Sequence, residues 1–189
     1  MHLLHHVPGL GCLKISPTCE HPKESGDGAE TAQKNFYLED TARLQRPGKD
    51  TALYLAAGAA QVERLRHRRD GLAAGLTAAL ERFPATLPVV VECSSAVPFL
   101  QPTAVILVIR PPVREMKPTT EAILSRVTDL LVNASDCAGA AVTVAEQLRR
   151  AYPALRPQFT WSTDLIVEPP PGAMLARLQA RLSCATHNG

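Results

Sequence analysis

The chain has 189 residues, of which 46% are apolar and 20% are charged, and its formal net charge is +2. This length and composition are typical of a globular protein that buries a core of its own. The small charge and the scarcity of aromatic residues argue against a nucleic-acid partner. No apolar run approaches the roughly 20 residues that span a bilayer, so we expect no membrane partner either.

The five cysteines are scattered along the chain without a CxxC pair. This pattern fits neither a disulfide framework nor a zinc site, so we interpret them as reduced thiols. The first residues lack the basic and apolar regions of a signal peptide. Together these features predict a cytoplasmic protein.

In chain order, the first half of the sequence predicts two strands and two helices. The expected elements are a strand at 9–15, a helix capped by Asp50 or Thr51, a short strand at 61–66 and a helix after Asp70. Residues 16–49 are rich in proline, glycine and charged residues, which predicts a mobile polar loop.

The second half begins with two β-branched runs, at 87–92 and 104–110, that are typical of strands buried on both faces. Further strands are expected at 129–133 and 159–167. Helices are expected at 119–128, from a cap at Ser135 or Asp136 to Tyr152, and at 173–183. Strands that alternate with helices predict a single α/β domain over 1–189, with a three-layer arrangement around a mostly parallel sheet.

Polar residues lie just after the apolar runs, where ligands bind to parallel sheets. They are Lys14, Glu92, Asn133 and Asp136, and a further carboxylate, Asp50, lies at the head of the first predicted helix. Carboxylates suit magnesium, a lysine suits phosphate, and an Asn/Asp pair suits the edge of a base. Each residue also has a simpler interpretation, as a helix cap, a turn residue or a solvated side chain. The hypothesis of a site requires that all of them lie on one edge of one sheet.

At these residues the sequence resembles the molybdopterin-guanine dinucleotide biosynthesis protein B family, whose members are GTP-binding proteins of the P-loop NTPase superfamily. The motifs are, in order, LysIleSer at 14–16, ProGlyLysAspThr at 47–51, AlaGlyAla at 57–59, ValGluCys at 91–93 and AsnAlaSerAsp at 133–136.

The resemblance implies a P-loop NTPase type of α/β fold that binds GTP with Mg²⁺. It implies that Asp50 and Glu92 are the catalytic and magnesium-binding residues. Lys14, Asn133 and Asp136 would bind the nucleotide, with Asp136 reading the guanine and Asn133 fixing its loop. The implied partner, besides GTP, is an enzyme of molybdenum-cofactor biosynthesis.

The sequence departs from the family at the phosphate loop, because no G-x-x-x-x-G-K-[ST] motif occurs in it. Cys93 replaces a glycine of the family, and Ala134 replaces a basic residue. The loop's backbone cradle and its lysine are needed to hold phosphates. Either the domain is N-terminally incomplete or the protein is a diverged relative that has lost hydrolysis. In both cases we expect weak GTPase activity or none, and whether the chain is an enzyme stays open.

Two other functions compete with GTP binding. One is a non-catalytic α/β interaction module that contacts a partner enzyme through residues 16–50 or 110–118. The other is a small-molecule enzyme that uses Lys14 and Glu92. The basic run at 64–69 is open to two interpretations, a contact to phosphate or nucleic acid and a solvated connection between elements.

Overall fold

The computed structural model describes residues 2–7, 9–18, 35–68, 70–113, 115–134 and 138–185. The chain divides into two compact units, one of residues Leu3–Phe99 and one of residues Leu100–Gly189. The described strands form two sheets, one in each unit, so the expectation of a single sheet is wrong. The prediction that 1–189 fold as a single domain stays a prediction.

The first unit contains a four-stranded sheet in the order β2-β3-β1-β4. Its strands are β1 (Gly11–Pro17), β2 (Phe36–Leu38), β3 (Gln61–His67) and β4 (Val89–Glu92). All neighbours are parallel except β2 and β3, which are antiparallel. The helices up to residue 99 are α1 (His2–His6), α2 (Thr41–Leu44), α3 (Asp50–Ala56), α4 (Leu72–Leu80) and a 3₁₀ turn (Ser94–Phe99).

The two faces of this sheet differ because successive side chains of a strand point to opposite sides. Ile15 of β1 lies beside Leu65 of β3, and both are buried. Helix α4 covers this apolar face closely, since a Cβ atom at Gly75 would lie 2.7 Å from a methyl group of Leu65. Lys14 and Arg64, which are also neighbours across β1 and β3, point to the opposite face.

The second unit contains a three-stranded parallel sheet in the order β5-β6-β7. Its strands are β5 (Ile106–Ile109), β6 (Asp129–Asn133) and β7 (Phe159–Thr163). The helices are α5 (Pro118–Glu121), a 3₁₀ turn (Leu124–Arg126), α6 (Ala138–Ala151) and α7 (Gly172–Ala185). Strand β6 is central, and Leu130 and Val132 on it are fully buried.

The expected α/β architecture with mostly parallel pairing is confirmed, but several local predictions are wrong. Strands β4 and β5 are not enclosed on both faces, because each is an edge strand of its described sheet: the valines of β4 are half-buried, and Val108 of β5 is 51% exposed. The helix expected at 119–128 is a single short helix, α5, followed by a 3₁₀ turn. The segment 16–49 contains β2 and α2, and its residues 19–34 lie outside the described part. The N-cap of α3 is Lys49, and Thr51 is buried inside the helix with its hydroxyl donating to the carbonyl of Leu44.

Candidate functional site

Three of the predicted site residues come together in the first unit. Lys14 of β1 lies beside Glu92, the last residue of β4, in the parallel register. The Lys14 ammonium donates to Oε1 of Glu92, and its Nζ is 3.3 Å from Oδ2 of Asp50. One cation therefore joins two carboxylates that are 42 positions apart in the chain, from Asp50 to Glu92.

The position of Lys14 differs from the prediction. Strand β1 continues to Pro17, so Lys14 lies within the strand and not after it. Glu92 does end its strand, and Asp50 is the first residue of α3. The short strand β4 explains how they meet, because its last residue lies opposite the middle of the longer β1.

A fourth member of this cluster, Tyr54, was missed by the sequence analysis. Its hydroxyl donates to Oε2 of Glu92, the carboxylate oxygen that Lys14 does not bind. Tyr54 lies four residues after Asp50 in α3, and side chains at this spacing share one face of a helix. That spacing was the available signal. We refer to Lys14, Asp50, Tyr54 and Glu92 as the lysine cluster.

The electrostatics of the lysine cluster keep Lys14 charged. Partial burial lowers the pKa of Lys14, but the hydrogen bond and charge of Glu92, followed by those of Asp50, outweigh it and raise the pKa above its ordinary value. The lysine side chain is 19% exposed, whereas Asp50 and Glu92 are 62% and 54% exposed. The carboxylates therefore remain open to solvent, and Lys14 serves as a cationic group and not as a base at neutral pH.

A buried thiol lies on the same face of β1, two residues before Lys14. Burial raises the pKa of Cys12 to about 11, and the charge of Glu92 adds to the effect. The thiol is therefore protonated at neutral pH, and a protonated buried thiol is inert.

The predicted nucleotide-binding residues of the second half do not join this sheet. Asn133 ends β6, in the sheet of the second unit, and its Oδ1 accepts a hydrogen bond from the Leu165 amide at 2.9 Å. This bond ties the end of β6 to the segment that follows β7. Asp136 lies outside the described residues. The expectation that all the candidates share one edge of one sheet is therefore wrong, because pairing of the strands produces two sheets.

The second unit has a polar cluster that the sequence analysis missed. Asp129 is fully buried, and it accepts hydrogen bonds from Thr128 at 2.7 Å, Trp161 at 3.1 Å and Arg177 at 3.2 Å. Burial by itself raises the pKa of Asp129. The three hydrogen-bond donors and the charge of Arg177 lower the pKa by more than burial raises it, so the pKa lies below its ordinary value. A carboxylate so fully satisfied stabilises the fold and has no lone pair aimed at a ligand.

Within the part of the chain that the structure describes, no three side chains of His, Cys, Asp or Glu lie close enough together to hold a metal ion. None of the helices in that same part of the chain is long and apolar enough to cross a membrane.

We compared the chain with protein-family models, with curated proteins and with solved structures, and none of them matches it.

Proposed function

We propose that this protein binds GTP and is related to the GTP-binding proteins of molybdenum-cofactor biosynthesis, with a P-loop NTPase type of fold. The observation that carries the proposal is the convergence of Lys14, within β1, with Asp50, at the start of α3, and with Glu92, at the carboxyl end of the parallel strand β4. Ligands of parallel α/β sheets bind at this end. The proposal includes a cytoplasmic location and a partner enzyme of molybdenum-cofactor biosynthesis.

The donor groups of the lysine cluster fit a magnesium ion. Mg²⁺ takes oxygen ligands, usually one or two carboxylates with several waters. Asp50 and Glu92 supply two carboxylates that already converge on one cation, the ammonium of Lys14, and more than half of each is exposed. When bound, the ion would neutralise charge on the phosphates of GTP. Asp50 and Glu92 are the residues that would hold it.

The protein's own residues have distinct tasks in this proposal. Lys14 binds a phosphate oxygen in place of one of its carboxylates, since a lysine ammonium acts as a point charge toward phosphate. Tyr54 holds Glu92 in position through its hydroxyl. Asn133 fixes the loop after β6 by accepting a hydrogen bond from the Leu165 amide.

Hydrolysis is expected to be very slow or absent. Phosphoryl transfer depends on positioning and on donors around the phosphates. The sequence has no G-x-x-x-x-G-K-[ST] motif to supply the backbone cradle. Phosphate release from GTP at the rates of ordinary GTPases would contradict this expectation.

The test of the proposal is equilibrium binding of labelled GTP and ATP to the 189-residue chain, with and without Mg²⁺. We expect saturable binding that favours GTP and is strengthened by Mg²⁺. Asp50→Asn and Glu92→Gln should remove the strengthening by Mg²⁺, whereas Glu81→Gln, a change at an exposed carboxylate at the end of α4, should not. Absence of saturable GTP binding, or equal binding of ATP, would overturn the proposal.

The second candidate is a non-catalytic interaction module. It is favoured by the fact that both carboxylates of the lysine cluster already neutralise Lys14. This module would bind a partner enzyme through residues 16–50 or 110–118 and would have no affinity for nucleotide. The same binding experiment separates the two candidates.

A further inference from the structure

The first residues of the basic run at 64–69 belong to a strand and are not a solvated connection between elements. Arg64 and Arg66 belong to β3, near the centre of the first sheet. Residues two apart on a strand share a face, and Arg64 lies beside Lys14 in the register. Arg64, Arg66 and Lys14 therefore place three cationic side chains on one face of the sheet.

The two arginines share a single buried carboxylate. Glu39 is 7% exposed, and its oxygens are 3.6 Å from Nη1 of Arg64 and 3.9 Å from Nη1 of Arg66. Charge-assisted hydrogen bonds are shorter, about 2.7–2.9 Å. Glu39 thus compensates one of the two charges without closing a tight bond to either arginine, and one net positive charge remains at the pair.

The guanidinium groups also have unused donors. The Nε atoms of Arg64 and Arg66 are buried, and neither has a hydrogen-bond partner within the part of the chain that the structure describes. Arg66 donates from Nη2 to Thr18 at 3.3 Å and lies over the ring of Tyr37. A buried donor without a partner is costly, so such atoms indicate a missing acceptor.

An anion that accepts several hydrogen bonds at once suits these donors, because one positive charge at the arginine pair is uncompensated. The guanidinium fork matches the geometry of phosphate and carboxylate oxygens. Phosphate fits better here because Lys14, on the adjoining strand, adds a third cation when a phosphoryl oxygen replaces one of its carboxylates, and a phosphoryl group has three oxygens to offer. The arginine side chains keep 21% and 27% exposure, so part of each is open to solvent.

We propose that Arg64 and Arg66 of β3, together with the Glu39 carboxylate that they share, form a binding site for a phosphoryl group. This inference rests on the proposed function, because it names the side chains that contact the phosphates of the nucleotide on the face that carries Lys14. The arginines thereby supply donors that the missing phosphate loop does not.

The test uses inorganic pyrophosphate as the probe, without divalent cations, and the full chain as wild type, Arg64→Gln and Arg66→Gln. The matched control is Arg82→Gln, which removes the same charge from an arginine that pairs with Glu63 of β3 on the opposite face. Affinity is measured by titration calorimetry, and circular dichroism verifies that each variant is folded. Malonate, a dicarboxylate, serves as the second anion.

We expect wild type and Arg82→Gln to bind pyrophosphate equally and more tightly than malonate. Each of the other two substitutions should weaken binding about tenfold or more, as loss of a charge-assisted hydrogen bond does. No binding to wild type, equal weakening by Arg82→Gln, or preference for malonate would overturn the inference.

A parallel titration with GTP distinguishes this inference from the proposed function. If Arg64→Gln and Arg66→Gln weaken pyrophosphate binding but wild type does not prefer GTP to ATP, the phosphoryl site stands and the guanine specificity fails. If GTP binds with preference and neither substitution affects it, the proposed function stands and the arginine site is wrong.

Discussion

At the level of single residues, Lys14 is the member of the lysine cluster on which the others depend. Its ammonium contacts both carboxylates of the cluster, that of Asp50 and that of Glu92. We predict that Lys14→Gln lowers the free energy of unfolding by about 1 kcal/mol, a modest value because both partners are more than half exposed. Urea denaturation at pH 7 measures the change.

The same contact has a defined pH dependence. Because the pKa of Lys14 is raised in the folded state, its stabilisation is complete below the unfolded value, about 10.4, and is lost as pH rises through the higher folded value. The difference between wild type and Lys14→Gln should thus be constant from neutral pH to about 10 and shrink above it. Lys49→Gln removes the same charge from a neighbouring exposed lysine outside the lysine cluster and is the matched control. A difference that is already absent at pH 8 would contradict the ion-pair interpretation.

Sequence reasoning identified these charged residues but not their arrangement. Lys14 and Glu92 were recognisable because each follows an apolar run, and Asp50 because it lies at the head of a predicted helix. Tyr54 and Asp129 were missed, since one has the spacing of an ordinary helix residue and the other begins an apolar strand. Which side chains meet depends on strand register, and the register is decided by pairing over long distances in the chain.

At the level of elements, the packing of α4 on the first sheet depends on a glycine. A Cβ atom at Gly75 would lie 2.7 Å from Cδ1 of Leu65 and 2.9 Å from Cγ of Phe36. The leucine methyl can move, but the base of the aromatic ring cannot move without shifting β2. We predict that Gly75→Ala destabilises the protein by about 1 kcal/mol, since the clash exceeds the gain in helix propensity.

The control for this prediction is Gly172→Ala at the start of α7. No heavy atom lies within 4 Å of a Cβ built there, so the substitution should be neutral or stabilising by up to about 1 kcal/mol. Thermal unfolding followed by circular dichroism compares the two. Equal effects of the two substitutions would show that α4 does not pack as closely as described.

Element types were predictable from the sequence, but their places in a sheet were not. The runs that became β1, β4, β5 and β6 have the composition of buried strands, and each is a strand. Of these four strands, β1 and β6 have a described neighbour on both sides, whereas β4 and β5 are edge strands of their sheets. The composition of a segment indicates that its backbone prefers to be extended. It does not indicate how many neighbouring strands the segment will pair with, because that depends on how the whole sheet assembles.

At the level of the whole molecule, each of the two units has a sheet of its own. We predict that Asp129→Asn destabilises the second unit by about 3 kcal/mol, because it leaves the Arg177 charge partly uncompensated in a buried site. Trp161, the single tryptophan of the chain, donates to Asp129 and reports on this unit by its fluorescence.

Amide hydrogen exchange tests whether the effect stays within one unit. Exchange of the β6 amides should accelerate in Asp129→Asn, while that of β1 and β3 stays as in wild type. Equal acceleration in both sheets would show that the chain unfolds as one cooperative domain. Since the pKa of Asp129 is lowered by folding, its stabilisation is present above about pH 3.9 and is lost as pH falls through the lower folded value.

The single ammonium between Asp50 and Glu92 has a thermodynamic consequence. An anion that draws Lys14 away releases two carboxylates in one movement, and a divalent cation that binds those carboxylates releases Lys14 for an anion. Each ligand therefore raises the affinity of the other by the same factor, as reciprocal coupling requires. Lys14 competes with a cation for the two carboxylates, and the carboxylates compete with an anion for Lys14. Because all three groups belong to one chain, this competition lowers the affinity for either ligand alone and is relieved when both ligands bind.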